Sequence, residues 1–118
     1  MNKKIAAAVA GALLLLATNA YAQAWPNKPI KLVAPYPPGG QTDVVSRYFA
    51  EKLTAALGQQ VIVENKAGAQ GMVGAEIVKN APPDGYTFVY VNSSMMCINP
   101  YVYKKLPYDG FKDFVPVT

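Results

Sequence analysis

The sequence predicts an α/β domain built on a parallel sheet, and three observations carry that reading. Short apolar runs at 30–34, 61–63 and 86–91 alternate with segments of helical periodicity at 44–57 and about 72–80. The connections leaving the apolar runs, at 35–43, 65–71 and 92–94, are rich in Gly, Asn and Ser. The spacing leaves room for one helix between successive strands, as a parallel crossover requires. The expected order is β-α-β-α-β-α.

The chain has 118 residues and is 52% hydrophobic and 15% charged. Part of the apolar excess lies in the first 22 residues. Lys3 and Lys4 precede an apolar run from Ile5 to Ala17, and Ala20 and Ala22 make a small-x-small cleavage pattern. That run is shorter than the ~20 residues a membrane span needs. Residues 1–22 are therefore expected to be a signal peptide, cut after Ala22, with a periplasmic mature chain. Its removal takes two of eleven basic residues, leaving nine against seven acidic ones, a net +2. No basic cluster remains, so nucleic acid is a poor partner. The chain has no His, which excludes Ser-His and Cys-His nucleophile pairs and His-based metal sites. The lone Cys97 cannot close an internal disulfide and is expected to be a small buried apolar residue.

Ala24 to Pro29 is an extended lead-in, with Trp25 on the domain edge. Ile30 to Ala34 forms the first strand. The following helix places Val44, Val45, Tyr48, Phe49, Leu53, Ala56 and Leu57 on one face, and Ser46, Arg47, Glu51, Lys52 and Thr54 on the other. Arg47 faces solvent or pairs with Glu51. Gly58 stands just past the helix end. Val61-Ile62-Val63 is β-branched throughout, which suits a strand buried on both faces. The second helix turns Val73, Ile77 and Val78 inward. Tyr86 to Val91 is the third strand, and a short helix from about Met95 stops at Pro100 or soon after.

The stretch Pro35 to Asp43 joins the first strand to the first helix. Gly39 and Gly40 allow positive φ and close approach of a ligand. Thr42 is the N-cap candidate. Unpaired N–H groups and the positive end of the helix dipole make such a turn an anion site. A plain βα turn with nothing bound has the same composition. In a parallel sheet all three special connections leave from one edge, where ligands of open α/β sheets bind, and that convergence favours a small-anion site. Asp43 would repel an anion through its side chain, but at a helix start its carboxylate is expected to turn to backbone N–H groups and fix the turn. Lys66 is expected to be a solvated loop lysine. Tyr101, Tyr103 and Tyr108 are expected to be packing and surface residues.

The stretches Ile30–Asp43, Leu57–Gly71, Pro83–Thr87, Asn99-Pro100 and Leu106–Asp109 together resemble the Bug or TctC family, the substrate-binding proteins of tripartite tricarboxylate transporters. The resemblance runs from about Trp25 to the last residue. It implies a type II periplasmic binding-protein fold, in which two α/β lobes close on a small organic acid: a di- or tricarboxylate, an amino acid or an aromatic acid. It implies that residues 23–118 are the amino-terminal part of such a protein, an incomplete first lobe with the second lobe missing. The implied partners are the acid and the membrane transporter subunits. No cofactor, metal or catalytic residue is implied, and the chain is not expected to be an enzyme. The implied ligand residues are Pro38, Gly39, Gly40, Thr42 and Asp43 in the first turn and Ala69, Gln70 and Gly71 in the second. Ser93 and Ser94 follow the third strand, and Tyr36 is a ring placed against the ligand. A sensory or adaptor domain that binds the same ligand, or an enzyme acting on an anionic substrate, are the competing functions.

Overall fold

The computed structural model describes residues 24–117. The expected leader, residues 1–22, and its cleavage after Ala22 lie outside the described residues.

Three parallel strands form the sheet: β1 (Ile30–Ala34), β2 (Val61–Asn65) and β3 (Thr87–Val89), in the order β2-β1-β3. Ile30 pairs with Val61 and Ala34 with Asn65 on one side of β1, and Lys31 pairs with Thr87 and Val33 with Val89 on the other. Helix α1 (Gln41–Leu57) connects β1 to β2. A 3-10 turn (Ala69–Gly71) and helix α2 (Met72–Lys79) lead back across β1 to β3, followed by a π-helical segment (Ser94–Ile98) and a short helix α3 (Asn99–Val102). The two crossovers move in opposite directions, so with the usual hand α1 and α2 lie on opposite faces. The packing agrees. Ile30, Leu32, Ala50 and Val61 form one core, and Met72, Ala75, Met95 and Tyr108 form a separate one. This is the expected α/β class with a parallel sheet.

Both helices are rotated from the expected phase. On α1 the buried residues are Asp43, Ser46 and Ala50, while Val44 is 60% and Tyr48 58% exposed. Two polar anchors set this phase. The carboxylate of Asp43 accepts from Gly39 N–H at 2.9 Å, and Thr54 Oγ1 accepts from Val61 N–H at 3.0 Å. Asp43 and Thr54 are about three turns apart and so share one face. Small Ser46 and Ala50 between them let the helix lie close to the sheet. On α2 the buried residues are Met72, Gly74 and Ala75, and Val73 and Ile77 are exposed. A Cβ on Gly74 would stand 2.7 Å from Pro35 Cβ, so α2 approaches the turn after β1 through a face without side chains.

Other expectations change for related reasons. β2 is covered on one face only, with Ile62 exposed, because α2 returns across β1 and leaves that face of β2 bare. The helical run from Ser94 ends at Val102, soon after Pro100 as expected, but Pro100 itself is not the stop. It lies in the first turn of α3, where its missing N–H costs nothing. Cys97 is exposed on the π-helical segment. Trp25, by contrast, packs on the domain edge as expected, half-exposed, with its Nε1 donating to the Gly85 carbonyl and its ring 6.0 Å from that of Tyr86.

Candidate functional site

The carboxyl ends of β1 and β3 mark the point where the chain diverges to opposite faces, the place where open α/β sheets bind ligands. The first turn stands there with Pro37 to Gln41 exposed. Gly39 has φ +81°, the left-handed conformation that calls for glycine. Gly40 has an ordinary φ of −79° and is itself the N-cap, without a side-chain cap bond. Thr42 is therefore inside the first turn and not the expected N-cap. Val44 N–H closes on Gly40 O at 3.0 Å, so the N–H groups of Gln41, Thr42 and Asp43 precede the helical ladder.

Asp43 is 5% exposed and turned inward, as expected, but its partners go beyond backbone. Oδ2 accepts from Gly39 N–H at 2.9 Å. Oδ1 accepts from Asn65 Nδ2 at 2.9 Å and from Arg47 Nη2 at 3.0 Å. Arg47 also donates to Asn65 Oδ1 at 3.0 Å, and Asn65 Nδ2 reaches the Tyr36 carbonyl at 3.2 Å. The guanidinium of Arg47, then Gly39 N–H and the Asn65 amide, lower the Asp43 pKa from 3.8 to about 2 against the opposing effect of burial. Arg47 thus pairs with Asp43, one turn before it, and not with Glu51. The first turn is tied to the end of β2, and its one acid is neutralised from within.

The second turn is bent left-handed throughout. Gly68, Ala69, Gln70 and Gly71 have φ of +146°, +45°, +52° and +88°. Two successive non-glycine residues in this region cost about 1–3 kcal/mol each, a strain that neighbours must hold in place. The Gln70 carbonyl accepts from Asn99 Nδ2 at 3.1 Å. Asn99 Nδ2 also bonds the Tyr108 hydroxyl at 3.2 Å, and that hydroxyl donates to Met95 O at 2.7 Å. Asn99 and Tyr108 are both buried. Within the turn, Gly71 N–H bonds Gly68 O, and Met72 N–H bonds Ala69 O. Those bonds leave the N–H groups of Ala69 and Gln70 outside them.

Tyr36 joins the two turns to the third connection. Its ring packs beside the Met95 and Tyr108 core. Its single hydroxyl proton faces two acceptors, Asn92 Oδ1 at 3.3 Å and the Gln70 carbonyl at 3.5 Å. The π-helical segment beginning at Ser94 packs on the second turn, with Ser93 exposed and Ser94 half-buried. Lys66, expected to be free in solvent, pairs with Glu64 at 3.6 Å. Glu64 also takes Lys31 at 3.0 Å, and chiefly that bond lowers its pKa.

The structure thus brings Tyr36, Gln70 and Gly71 together and sets Pro38, Gly39, Gly40 and Thr42 beside them as an open ledge. Two shallow hollows, of about 350 and 370 Å³, lie elsewhere, one beside α1 and β2 and one around Tyr103 to Phe111. Sequence reasoning placed Asn65 and Asn92 in the connections at this edge without giving either a role, and did not assign Arg47 or Asn99 to it. The Asp43-Arg47 spacing of four was legible as a helix pair. The three asparagines carry no periodic signal.

A protein from Pseudomonas sp. (strain P51), a UPF0065 protein of the tcbD-tcbE intergenic region, is 38% identical over 118 residues, covering 99% of this chain and 35% of that protein. BugT of Bordetella pertussis is 38% identical over 87% of this chain and 32% of its own length. The chain therefore spans about a third of the length of the relatives it matches. Among solved structures, a periplasmic transporter aligns with TM-score 0.78 and 46% identity over 80% of this chain and 32% of that one. MatC from Rhodopseudomonas palustris with bound malate aligns with TM-score 0.76 and 34% identity, over 79% and 32%. Another R. palustris protein, with adipate, aligns with TM-score 0.71 and 34% identity, over 74% and 29%. This chain covers about 30% of each of these structures. Residues 45–118 match the model of the tripartite tricarboxylate transporter family receptor, TctC, and the chain belongs to that family.

Proposed function

We propose that residues 23–118 are the amino-terminal part of a periplasmic solute-binding protein that captures a small organic carboxylate for a tripartite transporter, after a signal peptide is removed behind Ala22. The ligand's carboxylate rests between the two turns. It takes N–H groups from the start of α1, around Gly40, Thr42 and Asp43, and from Ala69 and Gln70. Pro38, Gly39, Gly71, Ser93 and Ser94 shape the wall, and Tyr36 forms the floor. The observation that carries this reading is the inward, Arg47-neutralised carboxylate of Asp43, which leaves the helix start without a free negative charge. The related proteins that hold malate and adipate, both dicarboxylates, support the ligand class. Delivery to membrane subunits is supported by the family alone. Backbone N–H groups read a carboxylate and not the rest of the molecule, so the ledge selects a class.

The test is a titration of the ¹⁵N-labelled chain with succinate, citrate, glutamate and benzoate, with an alkylamine as control. Amide shifts concentrated at residues 40–43 and 69–70 for the acids alone are the expected result. Shifts centred on the hollow beside α1 and β2, or none for any acid, would overturn the reading.

A further inference from the structure

We propose that Asn99 and Tyr108 are positioning residues, a buried pair from beyond the third strand that holds the turn Gly68–Gly71 in its left-handed form and so aims the N–H groups of Ala69 and Gln70. As a role in ligand binding, this rests on the function proposed above. As a statement about the turn, it stands on geometry alone. Ala69 and Gln70 occupy a conformation that L-residues avoid, and inside the turn it is favoured by the bonds from Gly71 N–H to Gly68 O and from Met72 N–H to Ala69 O. A further restraint comes from outside. The Asn99 amide draws the Gln70 carbonyl inward at 3.1 Å, and rotating that peptide outward would break this bond. Asn99 cannot drift, because the same amide nitrogen is held by the Tyr108 hydroxyl, itself anchored on Met95 O at 2.7 Å. Gly71 completes the seat. A Cβ there would stand 2.9 Å from Met95 Sδ, so the turn lies directly on the residue whose carbonyl anchors Tyr108. Asn99 is 3% and Tyr108 4% exposed, so neither reaches the ligand, and both act through Gln70.

The experiment compares Asn99→Ala and Tyr108→Phe with Val61→Ala, a truncation in the other core, in the full chain. The backbone couplings and ¹³Cα shifts of Ala69 and Gln70 report the turn, and amide titration with succinate reports the ledge. In Asn99→Ala the couplings are expected to move towards extended values and succinate affinity to fall about tenfold, the equivalent of one lost buried hydrogen bond. Tyr108→Phe should shift both in the same direction by less, and Val61→Ala should shift neither. Adding Gln70→Gly, which removes the conformational penalty at that residue, should shrink the effect of Asn99→Ala. A purely structural Asn99 would show no such coupling. Left-handed couplings retained in both Asn99→Ala and Tyr108→Phe would overturn the proposal. If the couplings move as expected but succinate binds no version of the chain, the positioning stands and the proposed function falls.

Discussion

Asn65, the last residue of β2, donates from Nδ2 to the carboxylate of Asp43 at 2.9 Å and to the Tyr36 carbonyl at 3.2 Å. One amide thereby closes the gap between the turn after β1 and the strand beside it. Asn65→Ala leaves the Tyr36 carbonyl and one Asp43 oxygen short of a partner. The expected cost is about 1–2 kcal/mol, read as a lower urea midpoint with unchanged slope. Asn65→Asp should cost more, since it sets a second carboxylate against Asp43. A midpoint unchanged in both variants would show that the clasp contributes nothing.

The Asp43–Arg47 pair has a definite pH signature. The folded-state pKa of Asp43 is near 2 and the unperturbed value is 3.8. A lowered pKa means that the folded state favours the ionised form. The contribution is therefore complete above about pH 4 and is lost as pH falls from 3.8 towards 2. Asp84, Asp109 and Asp113 are lowered as well, so the whole protein loses stability in acid. The Asp43 share is isolated by difference. Arg47→Met removes the largest cause of the shift. The gap in urea midpoint between wild type and Arg47→Met should be wider at about pH 5.5 than at about pH 2.5. An equal gap at both would mean that Arg47 acts by packing alone.

Glycine is demanded at Gly71 and not at Gly40. Gly71 has φ +88°, and a Cβ there would meet Met95 Sδ at 2.9 Å. Gly40 has φ −79° and meets only Pro37 O, at 3.5 Å. Gly71→Ala should cost about 1–3 kcal/mol. Gly40→Ala, which only weakens an N-cap, should cost less than about 1 kcal/mol. Paired thermal melts check the order, and a larger loss at Gly40 would contradict this geometry.

The sequence of strands and helices along the chain and the shared edge were legible because they follow from the alternation of apolar runs with helical spacing, whereas the order β2-β1-β3 within the sheet was not read from it. Nor was helix phase. Val44, Tyr48 and Phe49 outweigh Ser46 and Ala50 in any hydrophobic count, yet the smaller residues face the sheet because Asp43 and Thr54 must bond there. The inward Asp43 was expected from its place at a helix start, where a carboxylate turns to backbone N–H groups. Its partners Arg47 and Asn65 were not, since Asn65 is 22 residues away and meets it only through strand pairing. The turn was legible as glycines at 68 and 71, whereas positive φ at Ala69 and Gln70 was not, since the Asn99 amide that bonds the Gln70 carbonyl comes from a distant segment.

Ser46 tests that explanation of helix phase. Its side chain is fully buried against the sheet and its hydroxyl has no hydrogen-bond partner. If Ser46 faces inward because it is small and not because it bonds, the oxygen is dispensable. Ser46→Ala removes an unpaired polar atom and adds helix propensity, for an expected gain of about 0.5–1 kcal/mol. A loss of stability would show that the hydroxyl has a partner in solution.

The openness of the ledge sets its affinity. Pro37 to Gln41 and Ala67 to Gln70 are exposed, and nothing among the described residues covers them. A carboxylate placed there keeps most of its water, so each hydrogen bond yields about 1 kcal/mol net. A handful of such bonds must offset an association cost of about 4 kcal/mol or more. The helix dipole adds about 1 kcal/mol at most for an exposed anion, and salt screens it. Succinate or citrate should therefore bind this 118-residue chain no more tightly than about millimolar, roughly −4 kcal/mol, and more weakly as salt rises. Amide titrations at low and high ionic strength measure both. Micromolar affinity that is insensitive to salt would mean that the two turns enclose the ligand in solution and that the exposed ledge is not its resting shape.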